Sequence, residues 1–161
     1  MRWDLIDRFS VLKKGRYSLA EKAFSGGEDF FSEHVPGKPL VPEPLLVEMI
    51  AQTGGVLFGL GLEFRKEVIL AKIASADFEN PVAPPCRLVI EAFIEDESED
   101  AARVSGTVRA EGGRVVARAE IFLVAMKGLG EAHAQKIVFN EKFLTHYDVF
   151  NVARASEKES V

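Results

Sequence analysis

HVPGKPLVPEPLLVEMIAQ, residues 34–52, decides the reading of this chain. Pro36, Pro39 and Pro42 suit neither a helix interior nor a central strand, so residues 29–44 read as loop. Pro44 fits the first turn of a helix, where its missing N–H costs nothing. From Leu45 to about Leu60 the chain is apolar on nearly every face, which predicts a helix buried all round. Gly54, Gly55, Gly59 and Gly61 each lower helicity by up to ~1 kcal/mol. Their presence implies that something packs very closely on the helix, such as a sheet wrapped around it.

Outward from this helix the pattern becomes that of strands. Glu67–Ala76, Leu88–Glu95, Ala102–Ala110 and Val115–Ala125 carry β-branched and aliphatic residues at strand spacing. Glu95–Asp100 and Glu111-Gly112-Gly113 read as turns between them. These four runs predict an antiparallel meander. Ahead of the helix, Trp3–Phe9 and Tyr17–Phe24 read as a hairpin around Lys13-Lys14-Gly15. The expected class is α+β, a curved antiparallel sheet around one central hydrophobic helix. From Gly128 the strand pattern stops. Asn140 is placed to cap a short helix beginning at Glu141. The expected division is a domain over residues 1–127 and a partly helical extension over 128–161, disordered from about Arg154.

Composition narrows the function. The chain has 161 residues, enough for one domain with a real core. Its net charge of −5, with both signs scattered, argues against a dedicated nucleic-acid binder. The single cysteine, Cys86, cannot form an internal disulfide, has no metal-ligand spacing and reads as an inert thiol. No metal or organic cofactor is expected. The N-terminal run MRWDLIDRF carries charges among its apolar residues, unlike a signal peptide. The apolar run Leu45–Leu62 holds Glu48, Gln52 and four glycines, which makes it a poor membrane span. A soluble, cytoplasmic protein is the expectation.

Three side chains in the opening stretch suit acid–base chemistry. His34 is the natural proton-transfer group near neutral pH. Glu48 is the one carboxyl group in an otherwise apolar run, a candidate for general-acid work. Gln52, four residues on, shares its helix face and can orient it. Taken singly, a loop histidine is more often solvated and a helical glutamine more often a surface group. An isolated buried glutamate is more often satisfied by backbone or arginine. Gathered within nineteen residues, they form a candidate site. The helix start after Pro42 adds backbone N–H groups and a positive dipole end for a carbonyl oxygen that becomes negative. His133 and His146 show no ligand-like spacing. The twelve phenylalanines are core residues first and a lining for an acyl chain second.

The stretch His34-Val35-Pro36-Gly37-Lys38-Pro39-Leu40-Val41-Pro42-Glu43, then Glu48-Met49-Ile50-Ala51-Gln52, resembles the signature of the 3-hydroxyacyl-[acyl-carrier-protein] dehydratases. That signature is roughly H-F-P-G-x-P-x-M-P-G followed by E-A-x-A-Q on an apolar helix. The spacing of fourteen from His34 to Glu48 matches. Ala76–Pro84 resembles the family's A-x-F-x-x-P-V-x-P-G segment, and the likeness covers about residues 4–126. It implies the hotdog fold and a homodimer, or an assembly of dimers, with sites at the interface. It implies His34 as the base at C2 and Glu48 of the partner subunit as the acid at the C3 hydroxyl. Gln52 and Gly37 would support them, and the Glu43 backbone N–H would hold the thioester carbonyl. Val35, Pro42 and Phe78 would line the substrate. The implied substrate is a 3-hydroxyacyl chain on acyl-carrier protein or coenzyme A.

Three departures mark a divergent member. Glu43, followed by Pro44, stands where the family has a glycine, Val35 replaces a phenylalanine, and the tail after Gly128 exceeds the usual end. Arg65, Lys66, Lys72 and Arg87 are candidates for a basic patch facing an acidic carrier protein. Two other functions fit the same fold. One is an acyl-thioester hydrolase, for which Glu43 is an extra carboxylate. The other is a non-catalytic acyl-binding protein, motivated by the Glu43-Pro44 change.

Overall fold

A computed structural model of the chain describes residues 5–127 and 138–158. The start of the expected first strand at Trp3, the first part of the C-terminal extension and the last three residues lie outside them. The elements are β1 (Arg8–Lys13), β2 (Tyr17–Phe24), α1 (Phe30–Glu33), α2 (Glu43–Gly61), β3 (Glu67–Phe78), β4 (Cys86–Glu97), β5 (Ala101–Ala110), β6 (Val115–Met126), α3 (Glu141–His146) and α4 (Val149–Lys158). The six strands form one antiparallel sheet in the order β1-β2-β4-β5-β6-β3. The sheet wraps α2, as the sequence predicts.

α2 starts where Pro42 caps it and Pro44 occupies the first turn. Thirteen of its nineteen residues are buried, so its apolar character belongs to a core helix although its length would span a bilayer. Gly54, Gly55 and Gly59 do what the sequence implies, while Gly61 at the helix end does not, since a Cβ there would meet nothing nearer than Glu97 at 3.9 Å. A Cβ on Gly54 would stand 2.8 Å from Val104 on β5. The approach is mutual, because a Cβ on Gly106 of β5 would collide with Ile50 of α2. At both points a side chain of one element lies against the glycine backbone of the other, so the helicity lost to glycine is offset by dispersion contacts at close range.

Three expectations need correction. Over residues 5–7 the expected first strand is not formed: β1 begins at Arg8, Leu5 and Ile6 lie buried ahead of it, and the hairpin register runs from Arg8↔Glu21 to Lys13↔Tyr17. The four strands after α2 are not a simple meander. β4, β5 and β6 are, but β3 crosses over to pair with β6 and becomes the far edge of the sheet. Period-2 patterning marks strands without naming their neighbours, so this crossover leaves no local signal. The loop before α2 also contains one turn of helix, α1.

The C-terminal segment packs on the domain. The Asn140 side chain caps α3 by accepting from the Phe143 N–H at 3.0 Å, as expected. Phe139, Phe143, Tyr147, Val149 and Ala153 join the main core. α4 continues to Lys158, which corrects the expected disorder from Arg154 over residues 154–158. Its ordering has a physical cause. Ser156 is buried, and its hydroxyl oxygen accepts the Leu12 N–H of edge strand β1 at 3.0 Å. α4 thus covers one edge of the sheet. Among the described residues, the outer edge of β3 pairs with nothing.

Candidate active site

His34 sits at the C-terminal end of α1, where its backbone N–H donates to the Phe30 carbonyl at 3.0 Å. So short a helix cannot stand alone. It is held by packing: Phe31 is buried, and the rings of Phe30 and Phe31 each meet Phe24 of β2 edge-on at 5.7 Å. After it, the Lys38 N–H donates to the Val35 carbonyl at 3.0 Å and closes a turn over Pro36-Gly37. Gly37 has φ +75, which a side chain would strain. Proline then glycine at the two central positions is the chemistry of a type II turn. The loop is tied again where the Val41 N–H donates to the Val82 carbonyl at 2.8 Å.

The turn entering α1 is closed by Glu28. Its carboxylate accepts the backbone N–H of Ser25 at 3.0 Å and of Gly26 at 2.8 Å. Desolvation pushes this carboxyl up, but the backbone and hydroxyl donors outweigh it and hold it below the usual carboxylate range. A carboxyl depressed on folding adds stability above its unfolded pKa and loses it as pH falls through the folded one. Glu28→Gln is therefore expected to lower the melting temperature at neutral pH. The gap from wild type should close as acid titrates Glu28. A constant gap across that range, in parallel thermal melts, would show that the charge is not what closes the turn.

The His34 imidazole is exposed and faces a cavity of about 610 Å³. Val35, Glu43, Pro44, Phe78 and Asn80 are among its walls. Glu43 is exposed at the start of α2. Pro44 has no N–H, and the Leu45 N–H donates to the Pro42 carbonyl at 3.0 Å. The Glu43 N–H has no helical carbonyl four residues behind it and is available to a ligand. Pro42 is buried beneath as the helix cap.

Glu48 lies elsewhere. It is half-buried on the α2 face that also carries Ala51, Gln52 and Gly55, and this face walls a second cavity of about 420 Å³. The Gln52 side-chain amide donates to the Glu48 carboxylate at 3.0 Å, as their spacing predicts. This fixes one carboxylate oxygen and leaves the other for a ligand. Among the described residues of one chain, His34 and Glu48 therefore line different cavities. Of the eight predicted site residues, four border the first cavity (His34, Val35, Glu43, Phe78) and two the second (Glu48, Gln52). Gly37 and Pro42 shape the backbone between.

Sequence reasoning missed Asn80, whose amide donates to the Val115 carbonyl at 2.8 Å beside His34. It also missed the aromatic wall of the second cavity, Phe139, Phe143 and Tyr147. Their only signal was the abundance of phenylalanine. The proposed basic patch is not assembled. Lys66 pairs with Asp100 at 2.6 Å and Arg65 with Glu63 at 3.5 Å, at one end of the strands. Arg87 lies at the other end of β4. Lys72 lies over the Phe122 ring at 5.8 Å. Cys86 is half-buried, and burial, then the charge of Glu28, pushes its thiol up, away from nucleophilic use. Among the described residues no cluster suits a metal ion.

A family model for a FabA-like domain matches residues 2–120. The 3-hydroxyacyl-[acyl-carrier-protein] dehydratase FabZ of Hydrogenobaculum sp. (strain Y04AAS1) is 35% identical over 124 residues, covering 75% of this chain and 83% of that one. FabZ of Cronobacter sakazakii is 36% identical over 111 residues, 67% of this chain and 74% of that one. Among solved structures, the dehydratase heterocomplex ApeI:P from Xenorhabdus doucetiae superposes with a TM-score of 0.62 at 15% identity, over 75% of this chain and 82% of that one. The smu.793 protein of Streptococcus mutans UA159, bound to acetyl CoA, gives 0.60 at 12%, over 78% and 93%. At such identities these two show the shared hotdog fold alone. By the family match and the FabZ relatives together, the chain belongs to the FabA-like family, with the 3-hydroxyacyl-[acyl-carrier-protein] dehydratases of fatty-acid biosynthesis.

Proposed function

We propose that the chain converts 3-hydroxyacyl thioesters, carried on acyl-carrier protein, to trans-2-enoyl thioesters, at sites built from two copies. The observation that carries this reading is the separation of His34 and Glu48 into different cavities, at the two ends of β3, whose outer edge pairs with no strand among the described residues. The His34 cavity includes Phe78, the last residue of β3, and the Glu48 cavity includes Ile69 and Leu70 near its start. Pairing β3 antiparallel with its own copy about a two-fold axis sets the Phe78 end of one chain beside the Leu70 end of the other. His34 of the partner subunit then approaches Glu48. The edge is suited to this: Leu70, Ile73 and Phe78 are 36%, 49% and 39% exposed along it.

In the reaction so assembled, the His34 imidazole removes a proton from C2. The Glu48 carboxyl group across the interface protonates the C3 hydroxyl, which leaves as water while the C2–H electron pair becomes the double bond. Gln52 holds the carboxyl in place. The Glu43 N–H donates to the thioester oxygen as negative charge gathers there, a role worth roughly 3 kcal/mol in comparable sites. The protein side needs no organic cofactor. The same reading makes it a cytoplasmic enzyme.

The reaction runs both ways, so it is tested by absorbance at the conjugated-enoyl band. Crotonyl and longer 2-enoyl thioesters serve as substrates, on coenzyme A and on carrier protein, with thiol release followed alongside. Loss of the enoyl band without free thiol is expected. Free thiol would move the reading to a hydrolase, for which Glu43 in the His34 cavity is the candidate carboxylate. No reaction with either carrier would leave an acyl-binding role.

A further inference from the structure

The Glu48 cavity has a wall that the family match does not supply. Glu48 and Gln52 form its polar edge, while Ala51, Gly55, Val68 and Leu70 make apolar sides. The remaining side is Val138, Phe139, Phe143 and Tyr147, all beyond residue 120, where the family match ends. These residues are held firmly. The rings of Phe139, Phe143 and Tyr147 form a run, with centroids 5.1 and 4.6 Å apart. The run is anchored at one end to Phe64 at 6.1 Å and at the other to Phe9 of β1 at 5.8 Å. The Val138 N–H donates to the Glu67 carboxylate at 3.2 Å. Phe139 presses on the helix itself, since a Cβ on Gly55 would lie 2.9 Å from its ring.

We propose that Phe139, Phe143 and Tyr147 of the C-terminal arm close the acyl pocket and set the longest chain the enzyme accepts. The proposal rests on the dehydratase reading of Glu48. A 3-hydroxyacyl chain with its C3 hydroxyl at Glu48 has its remaining carbons in the apolar part of this cavity. The volume, about 420 Å³, suits a small apolar ligand. The arm's rings stand across it as a fixed wall, because each is buried and stacked on its neighbour. A chain too long for the space must displace them or stay in water. Gly55 lets Phe139 lie against α2, so arm and helix together define the depth.

Two substitutions separate the cavity from the arm. Phe143→Leu keeps an apolar side chain but removes part of the wall, and Phe139→Leu is the second variant should the first fail to fold. Ala51→Val narrows the cavity from the helix side. The probes are butyryl-, octanoyl- and dodecanoyl-coenzyme A, titrated by calorimetry against the full chain, with enoyl hydration followed for the matching 2-enoyl thioesters. Phe143→Leu is expected to favour the dodecanoyl over the butyryl chain by about tenfold relative to wild type, the scale on which a hydrophobic pocket distinguishes small differences of fill. Ala51→Val is expected to shift preference the other way. If Ala51→Val shifts the preference and the folded arm variants do not, the arm is not the wall. If none shifts it, the cavity does not hold the acyl chain. Length preferences that move in binding without any enoyl hydration would sustain the arm's role and remove the dehydratase reading instead.

Discussion

His34→Ala and Glu48→Gln, each without turnover alone, are expected to recover about one quarter of wild-type activity when unfolded together in equal amounts and refolded. The figure follows from symmetry. Random pairing makes half of the dimers mixed. In a mixed dimer, one site takes histidine from the Glu48→Gln chain and glutamate from the His34→Ala chain, and is intact. The other site carries both lesions. Half of the dimers with half of their sites gives one quarter. Each variant alone should lose at least about a hundredfold, the scale of a lost general acid or base. Thermal melts of each should match wild type, because His34 is exposed and, among the described residues, the Glu48 carboxylate bonds only to the Gln52 amide. Were the two groups to act within one chain, mixing would restore nothing. Were either variant fully active, that residue would leave the mechanism.

The candidate site was legible in sequence to the extent that its geometry is local. Gly37 follows Pro36 in a turn needing positive φ, Pro44 opens α2, and Gln52 lies one turn from Glu48. Each is a relation within a few residues, fixed by backbone geometry. The glycines of α2 were legible for the same reason. A costly residue in a buried helix announces a close neighbour, although only the structure names Val104 and Phe139. What stayed hidden is non-local. The crossing of β3 to the sheet edge depends on which strands pair, and strand patterning is silent on partners. The aromatic wall comes from residues about ninety positions after Glu48 in the chain. The tail also misled by its terminal position. The last residues of a chain are usually poorly ordered, which suggested disorder from Arg154, yet Ser156 is buried against Leu12 and carries α4 to Lys158.

The largest structural effect is expected from one charge on β3. The midpoint of this strand falls between Lys72 and Ile73. In an antiparallel pair of β3 strands about a two-fold axis there, Lys72 and Ile73 of one chain lie beside Ile73 and Lys72 of the other. Lys72 does not obstruct this as it stands, because its ammonium group lies over the Phe122 ring on the sheet. Ile73 is half exposed. Ile73→Lys places two new like charges near the axis and removes apolar surface from each side. Lysine on an edge strand is also a standard obstacle to strand pairing. The variant is expected to sediment as a monomer with wild-type secondary structure, since Ile73 contributes little to the core of its own chain. Turnover should fall at least about a hundredfold, because Glu48 no longer meets the partner's His34. Ile73→Val, which keeps the edge apolar, should keep both dimer and activity. An active monomer would refute the shared site. An active dimer would put the interface somewhere other than β3.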